Sequence, residues 1–408
     1  MGFNIWTDCP RVPITQLLKF IVDNRGKTVP TAQSGHKLIA TNCVTNNTLF
    51  PVYEKIRYLS DETYRTWFRA HPLPGDILFV NKGTPGRVCM VPDPVDFCIA
   101  QDMIALRADD SKIYNKYLFA VLRSHEIQQQ IYNTSVGDVI PHFKKQFMDQ
   151  LLIPVPDRKI QEAIGDLCYA LSYKVEHNKK INDNLLQQLR AIFMERFTNN
   201  PALESIQQVP LSELCSVVTK GTTPTTLGKP FVDRGINFLK AESILDNHSL
   251  DKGKFAHIDE ETHDMLKRSV IYAGDIVFTI AGTLGRFALI DSDILPANTN
   301  QAVAIIRADK GRISPEYLYA CFIGNWHNDY YSKRVQQAVQ ANLSLTTIKS
   351  LPIPVLTQDE MVSYMALISP IIRMLKQNEM ENEQLAALRD TLLPRLMSGE
   401  VDVSNIDN

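Results

Sequence analysis

The stretch that comes nearest to a phosphate-binding loop is Gly221-Thr222-Thr223-Pro224-Thr225-Thr226-Leu227-Gly228-Lys229-Pro230. A loop of that kind cradles phosphates with backbone N–H groups, places a lysine on the β/γ-phosphates and a Ser or Thr hydroxyl on magnesium. Here six residues separate the glycines, and Pro230 stands where the hydroxyl belongs, so the phosphate-loop match is rejected. No Gly-x-Gly-x-x-Gly follows a strand-like run, and neither His-Glu-x-x-His nor Gly-x-Ser-x-Gly occurs. The Asn/Asp-Pro-Pro-aromatic tetrapeptide with which adenine methyltransferases hold an extruded base is also missing. Asp76 and Asp275 each follow a glycine at the start of an apolar run. They could serve as catalytic carboxylates, but opening a strand from a turn is the commoner role of a Gly-Asp pair.

Metal and thiol chemistry find as little support. The seven cysteines, at positions 9, 43, 89, 98, 168, 215 and 321, include no Cys-x-x-Cys pair. Their odd number argues against a disulfide framework, and reduced thiols in a cytoplasmic protein are the plain expectation. The nine histidines do not fall at ligand spacing, so no metal and no cofactor is expected in this chain. The start Met1-Gly2-Phe3-Asn4-Ile5-Trp6 lacks a basic segment followed by an apolar one, and no run of about 18 apolar residues exists, so neither a signal peptide nor a membrane span is expected.

The elements that could position a site repeat themselves. Gly75-Asp76-Ile77 matches Gly274-Asp275-Ile276, Gly83-Thr84 matches Gly282-Thr283, and Gly86-Arg87 matches Gly285-Arg286. Arg107-Ala108-Asp109 matches Arg307-Ala308-Asp309, Tyr117-Leu118 matches Tyr317-Leu318, and Ile153-Pro154-Val155 matches Ile353-Pro354-Val355. Asn178, Asn182 and Leu185 match Asn378, Asn382 and Leu385. A period this long rules out a solenoid and implies a duplicated unit, a globular part followed by a helical part, in a pseudo-twofold molecule. With 408 residues, 44% hydrophobic and 22% charged, the chain suits two or three folded domains.

Each globular part reads as mixed α+β. Asp76 to Val80 and Asp275 to Ile280 read as strands, and 83–86 and 282–285 as tight turns. Lys116 to Gln130 and Pro315 to Trp326 read as helices. In the helical part of the first copy the apolar positions run Ile164, Leu167, Leu171, Val175, then Asn178, Ile181, Leu185, Leu189 and Ile192. Steps of three and four predict a helix of about 38 residues, roughly 57 Å long, with a coiled-coil seam. The second copy runs Met365, Ile368, Ile372, Leu375, Asn378, Asn382, Leu385, Leu388, Leu392 and Leu396, and Pro370 predicts a kink or a fresh start. Each amphipathic helix either packs on its own domain or pairs antiparallel with the other. In the second case Leu171, Asn178, Asn182 and Leu185 face Leu375, Asn378, Asn382 and Leu385, and the asparagines set register.

The net charge is −2, distributed as 24 Lys and Arg against 20 Asp and Glu (net +4) over residues 1–200 and 19 against 25 (net −6) thereafter. A protein gripping DNA alone through many phosphates should be more basic, so either no DNA is bound or a partner supplies much of the grip.

This combination resembles the specificity subunit of type I restriction–modification systems over nearly the whole chain. The resemblance is most specific in Ile153-Pro154-Val155-Pro156 followed by Glu176-His177-Asn178-Lys179-Lys180-Ile181-Asn182, which is similar to the family's first spacer helix. Ile353-Pro354-Val355-Leu356 is a more diverged second appearance, with Leu356 in place of the last proline. Lys220-Gly221-Thr222-Thr223-Pro224 with Phe238-Leu239-Lys240 resembles the opening of a recognition domain. Ala341-Asn342-Leu343 before Leu351-Pro352-Ile353-Pro354 resembles its close, where the first copy has His142-Phe143. The resemblance implies target-recognition domains at 1–152 and 201–352, a spacer helix at 153–200, and a second with the C-terminal tail at 353–408. It implies that each domain reads one half of a split double-stranded DNA target and that the helices set the spacer. Methyltransferase subunits, two of them, dock on helices and domains, and restriction subunits join in some systems. S-adenosylmethionine, and ATP with magnesium, belong to those partners, and this chain is no enzyme. A methyltransferase or nuclease acting by itself, and a coiled-coil scaffold binding only proteins, are the competing readings. Missing motifs oppose the first and the size of the globular copies opposes the second.

Residues shared by both copies suit common tasks, and residues that differ suit base reading. Arg87 and Arg286 either touch phosphate or pair with a carboxylate such as Asp76 or Asp275. Thr84 and Thr283 stand in the same turns. Lys82 aligns with Ala281, and Lys240 with Ala40, so the two lysines are candidates for base reading. Lys220, Thr222 and Thr223, with counterparts Arg25, Lys27 and Thr28, either offer a phosphate-binding loop or form a plain turn. His142, Lys144 and Lys145 form a small basic loop. Gln336, Gln337, Gln340 and Asn342 could read adenine edges or form an exposed polar helix end.

Overall fold

The computed structural model describes residues 3–24, 27–137, 139–198, 206–326, 330 and 342–401. It divides into two compact units, Met1–Lys179 with Met380–Asn408, and Lys180–Glu379.

In the first unit the Gly-Asp run folds as expected into the strand Ile77–Val80, whose four side chains are all buried. It pairs antiparallel with Val88–Met90 on one side and Met103–Ala108 on the other, and Leu18–Val22 completes a four-stranded sheet. An unbroken apolar run of this kind signals burial on both faces. One face carries Ile77, Phe79, Ile104 and Leu106 toward the helical core. The other carries Leu78, Val80, Met103 and Ala105 toward a smaller three-stranded sheet, Arg57–Leu59, His36–Ile39 and Phe97–Ile99. A short pair, Arg11–Pro13 with Leu152–Pro154, ties the start of the chain to the entry of the first long helix.

The second unit repeats this plan. Ile276–Thr279 lies between Phe287–Leu289 and Val303–Ala308, with Cys215–Lys220 at the far edge. The smaller sheet has four strands, Ala256–Ile258, Ile236–Leu239, Ala297–Thr299 and Val270–Ile271. Gln208–Pro210 pairs with Pro352–Pro354. Even the tie between sheet side and spacer is duplicated: the buried Tyr117 hydroxyl donates to the Pro154 carbonyl at 2.9 Å, and Tyr317 to Pro354 at 2.8 Å.

The Lys116–Gln130 segment is two helices rather than one, Asn115–Leu122 and His125–Thr134. Ser124 breaks the run: its hydroxyl donates to the Val121 carbonyl and accepts from the Ile127 amide, so it closes one helix and caps the next. The second copy behaves as read, with Pro315 at the first turn of Pro315–Ile323.

The long helices run Arg158–Phe197 and Gln358–Met397. The second helix makes no fresh start at Pro370 and runs on through it. Pro370 and Ala366, whose carbonyl the ring frees, both lie on the exposed side, where water replaces the missing hydrogen bond. The helices run antiparallel. In the first unit the Asn178 amide donates to Asn382 at 3.0 Å and to Glu381 at 2.7 Å. In the second the Asn378 amide donates to Asn182 at 2.7 Å, and Asn182 to the Leu375 carbonyl at 3.2 Å. Antiparallel pairing of two copies of one sequence matches the first asparagine of each with the second of the other. The Asn178 bond, and Lys174 behind it, hold the Glu381 carboxyl below its usual range.

The buried stripe departs from the expected seam. Cys168, Ser172 and Phe193 are buried where Leu167, Leu171 and Ile192 are only half-covered, Leu388 is exposed, and Arg389 is buried beside it. The physical reason is that each helix has two neighbours. Ile164 and Cys168 belong to the core of the first globular part, and Leu185, Leu189, Phe193 and Phe197 to that of the second. The stripe is therefore wider than an a/d seam and rotated toward the sheets. Of the remaining seam positions, Leu185 and Leu375 are buried and Leu385 is half-buried. Among the described residues no helix is long and apolar enough to cross a membrane.

Candidate nucleic-acid interface

In each unit, four loops meet at one end of the large sheet. In the first these are the end of Leu18–Val22, the turn after Ile77–Val80, the turn before Met103 and the segment at His142-Phe143. Backbone bonds weld them: Asn81 N donates to Asp102 O at 2.9 Å, Phe143 N to Asn81 O at 2.8 Å, and Gly83 N to Pro141 O at 2.9 Å. The Asn24 side-chain amide reaches Ile99 O at 3.0 Å. The second unit reproduces the weld, with Ile280 N to Ala302 O at 2.8 Å and Leu343 N to Ile280 O at 2.9 Å. The turn glycines are required by geometry, since Gly83 and Gly86 have φ of 87° and 88°, and Gly282 and Gly285 of 78° and 83°.

This end of the sheet collects many of the residues singled out in the sequence. Lys82 and Arg87 project exposed from the first turn, Thr84 is half-buried in it, and Lys27, His142 and Lys144 lie on the adjoining loops, His142 half-buried and the lysines exposed. Lys145 is held by Asp23 at 2.8 Å. In the second unit Lys220 and Thr283 are exposed, and Thr222 and Thr223 half-buried. Thr222 N donates to Thr299 O at 3.1 Å, and the Thr223 hydroxyl donates to Gln301. Gly221 is packed so closely that a Cβ there would sit 1.9 Å from Thr299 O. The backbone N–H groups of Gly221 and Thr222 are thus spent inside the fold, and the phosphate-loop reading keeps only the side chains. Lys240 follows the strand Ile236–Leu239, whose last residue pairs with Thr299, and its ammonium lies 4.9 Å from the Phe231 ring centroid. Asn342 is exposed beside Leu343. Arg25, Gln336, Gln337 and Gln340 lie outside the described residues.

Of the two readings left open for the shared arginines, pairing with Asp76 or Asp275 is not what the structure shows. Those buried carboxylates are taken by Arg107, with two bonds of 2.8 Å, and by Arg307, with two of 2.7 Å. Each also accepts a backbone N–H three residues upstream, from Leu73 and Tyr272. The Gly-Asp carboxylates are therefore structural. Arg286 instead grips Asp246 through two bonds of 2.6 and 2.7 Å, whereas Arg87 has no ion pair among the described residues. The two copies use one arginine differently because the Asp246 loop has no acidic counterpart at 47.

A pair of cations escaped the sequence reading. Arg268 is exposed and donates to the Thr222 hydroxyl at 3.2 Å. Arg69 occupies the same register of the repeat and is exposed too. Aligning the two copies upstream of Gly75 and Gly274 would have found the pair. Among the described residues no group of three or more His, Cys, Asp or Glu side chains could hold a metal ion.

A surface of lysines, arginines and hydroxyls over rigid turns can meet phosphates and base edges. Comparisons with known proteins bear on the family and the fold. The model of the type I restriction modification DNA specificity domain matches twice, at 26–187 and 204–385. The HindI specificity subunit of Haemophilus influenzae is 21% identical over 411 residues, covering 80% of this chain and 86% of its own. The MjaIX specificity subunit of Methanocaldococcus jannaschii is 20% identical over 350 residues, covering 81% and 79%. Among solved structures, the S subunit of a type I restriction-modification system from M. genitalium superposes with a TM-score of 0.52 at 16% identity, covering 95% of both chains. With both of its globular copies and most of both long helices matched, this chain belongs to the type I restriction modification DNA specificity family.

Proposed function

We propose that the chain is the non-catalytic DNA specificity subunit of a type I restriction–modification assembly. Each globular copy, 1–152 and 201–352, reads one half of a split duplex target. The helices at 153–200 and 353–408 set the unspecified spacer and dock two methyltransferase subunits, with restriction subunits joining in a complete system. The observation that carries the reading is the duplicated loop cluster: one scaffold, welded alike in both copies, presents different side chains at matching places. Two readers of different half-sites need that arrangement. The mild charge suits a subunit that shares phosphate contacts with partners.

The test is co-expression with the cognate methyltransferase subunit, followed by mapping of modified adenines. A split motif is expected, and a continuous motif or none overturns the reading. Lengthening the helix between Asn178 and Pro201 should change the number of unspecified base pairs, and an unchanged motif counts against the ruler. Lys240→Ala should lower methylation at cognate sites about tenfold while barely changing binding to unrelated DNA, the scale of one lost base contact. Equal losses in both assays would assign Lys240 to phosphate.

A further inference from the structure

Among the described residues, the barest large apolar side chains of the first globular copy fall within one short stretch, 132–140. Val139 is 92% exposed and Ile140 54%, and Tyr132, at the end of the helix leading to them, is 76% exposed. Such side chains in open water usually mark a binding surface. The segment carrying them is anchored on both sides. Val136 N donates to His142 O at 3.0 Å and His142 N to Val136 O at 2.8 Å. Gly83 N holds Pro141 O, and Phe143 is fully buried against Phe79 with ring centroids 5.7 Å apart. The fold thus holds two branched aliphatics out to solvent on a fixed base.

What surrounds them selects the occupant. Lys82, bridged to His142, and Lys144 are exposed and have no ion-pair partner among the described residues. Two exposed aliphatics on a loop whose base carries Lys82 and Lys144 fit neither a lipid surface nor a broad protein interface. They fit a duplex groove, where lysines meet phosphates and the 5-methyl group of thymine is the most prominent apolar feature of the major-groove base edges. We propose that Val139 and Ile140 contact the 5-methyl group of a thymine in the half-site read by the first globular copy. The proposal rests on the specificity-subunit reading and names a determinant within it.

The test uses the chain in complex with its methyltransferase partner and duplexes carrying the mapped target. Thymines of both half-sites are replaced one at a time by deoxyuridine, which removes only the methyl group. At one position in one half-site the exchange should weaken binding by about fourfold, the worth of one buried methyl. The surface variant Val139→Ser/Ile140→Ser should melt like the parent and bind the thymine and uracil duplexes equally. Sequence-dependent binding that is indifferent to every exchange overturns the contact while leaving the specificity-subunit reading intact. So does a variant that keeps the parent's thymine preference, as it would if the tip wedged between base pairs without touching a methyl group. Absence of any split motif overturns both.

Discussion

Replacing Phe193 by alanine should destabilise the second unit by about 3–5 kcal/mol, the cost of emptying a fully enclosed aromatic site. Phe193 has no exposed surface and packs at a ring-centroid distance of 4.7 Å from Phe197 and 5.9 Å from Trp326. Gly324 makes room for it: a Cβ there would lie 2.1 Å from the Phe193 ring. On the side of Gly324 the site is closed by backbone, which cannot collapse into a void as a flexible side chain can. Calorimetry should show the transition of the second unit falling by roughly 10 °C, while the transition of the first stays put. Phe193→Leu should recover most of the loss. A change under about 1 kcal/mol would mean that the helix end is not part of that core.

Asp275→Ala should cost about 2–3 kcal/mol. The carboxylate is 1% exposed and bonds both nitrogens of the Arg307 fork and the Tyr272 amide. Its removal strands a guanidinium that lies 4.3 Å over the Tyr272 ring. Stranding a fully buried partner costs more, but Arg307 retains 28% exposure and water screens part of the charge. Asp76→Ala should lose a similar amount through Arg107. Denaturant titration checks both. Combining Asp275→Ala with Arg307→Ala should lose less than the sum of the single changes, because no unpaired charge remains. If instead the protein kept its stability and lost methylation alone, the carboxylate would belong to a reaction and not to the fold.

The repeat made much of this architecture readable in advance. Gly75-Asp76-Ile77 and Gly274-Asp275-Ile276 announced equivalent strands because a positive φ, a turn carboxylate and a buried apolar run are local demands. The matched asparagines likewise announced partners on the helices. The Arg286 pairing was not readable, because Asp246 lies 40 residues away on a loop with no acidic counterpart in the first copy. Nor was the drift of the buried stripe from Leu167 and Leu171 to Cys168 and Ser172, since periodicity cannot weigh two packing partners at once. Lys82, Lys144, Lys220 and Lys240 were found by type. Arg69 and Arg268 were missed because nothing local distinguishes a cation that will stand beside a loop from one that will not.

By itself the sequence determined the duplication, the two long helices and the absence of catalytic motifs, for these depend on spacing along the chain. Only the tertiary structure decided which residues share a surface. It spent the Gly221 and Thr222 amides inside the fold, tied Arg286 to Asp246, and left Val139 and Ile140 in water. The reason is that burial and pairing are set by what arrives from distant segments, and a side chain's chemistry is available to a ligand only after those partners have taken their share.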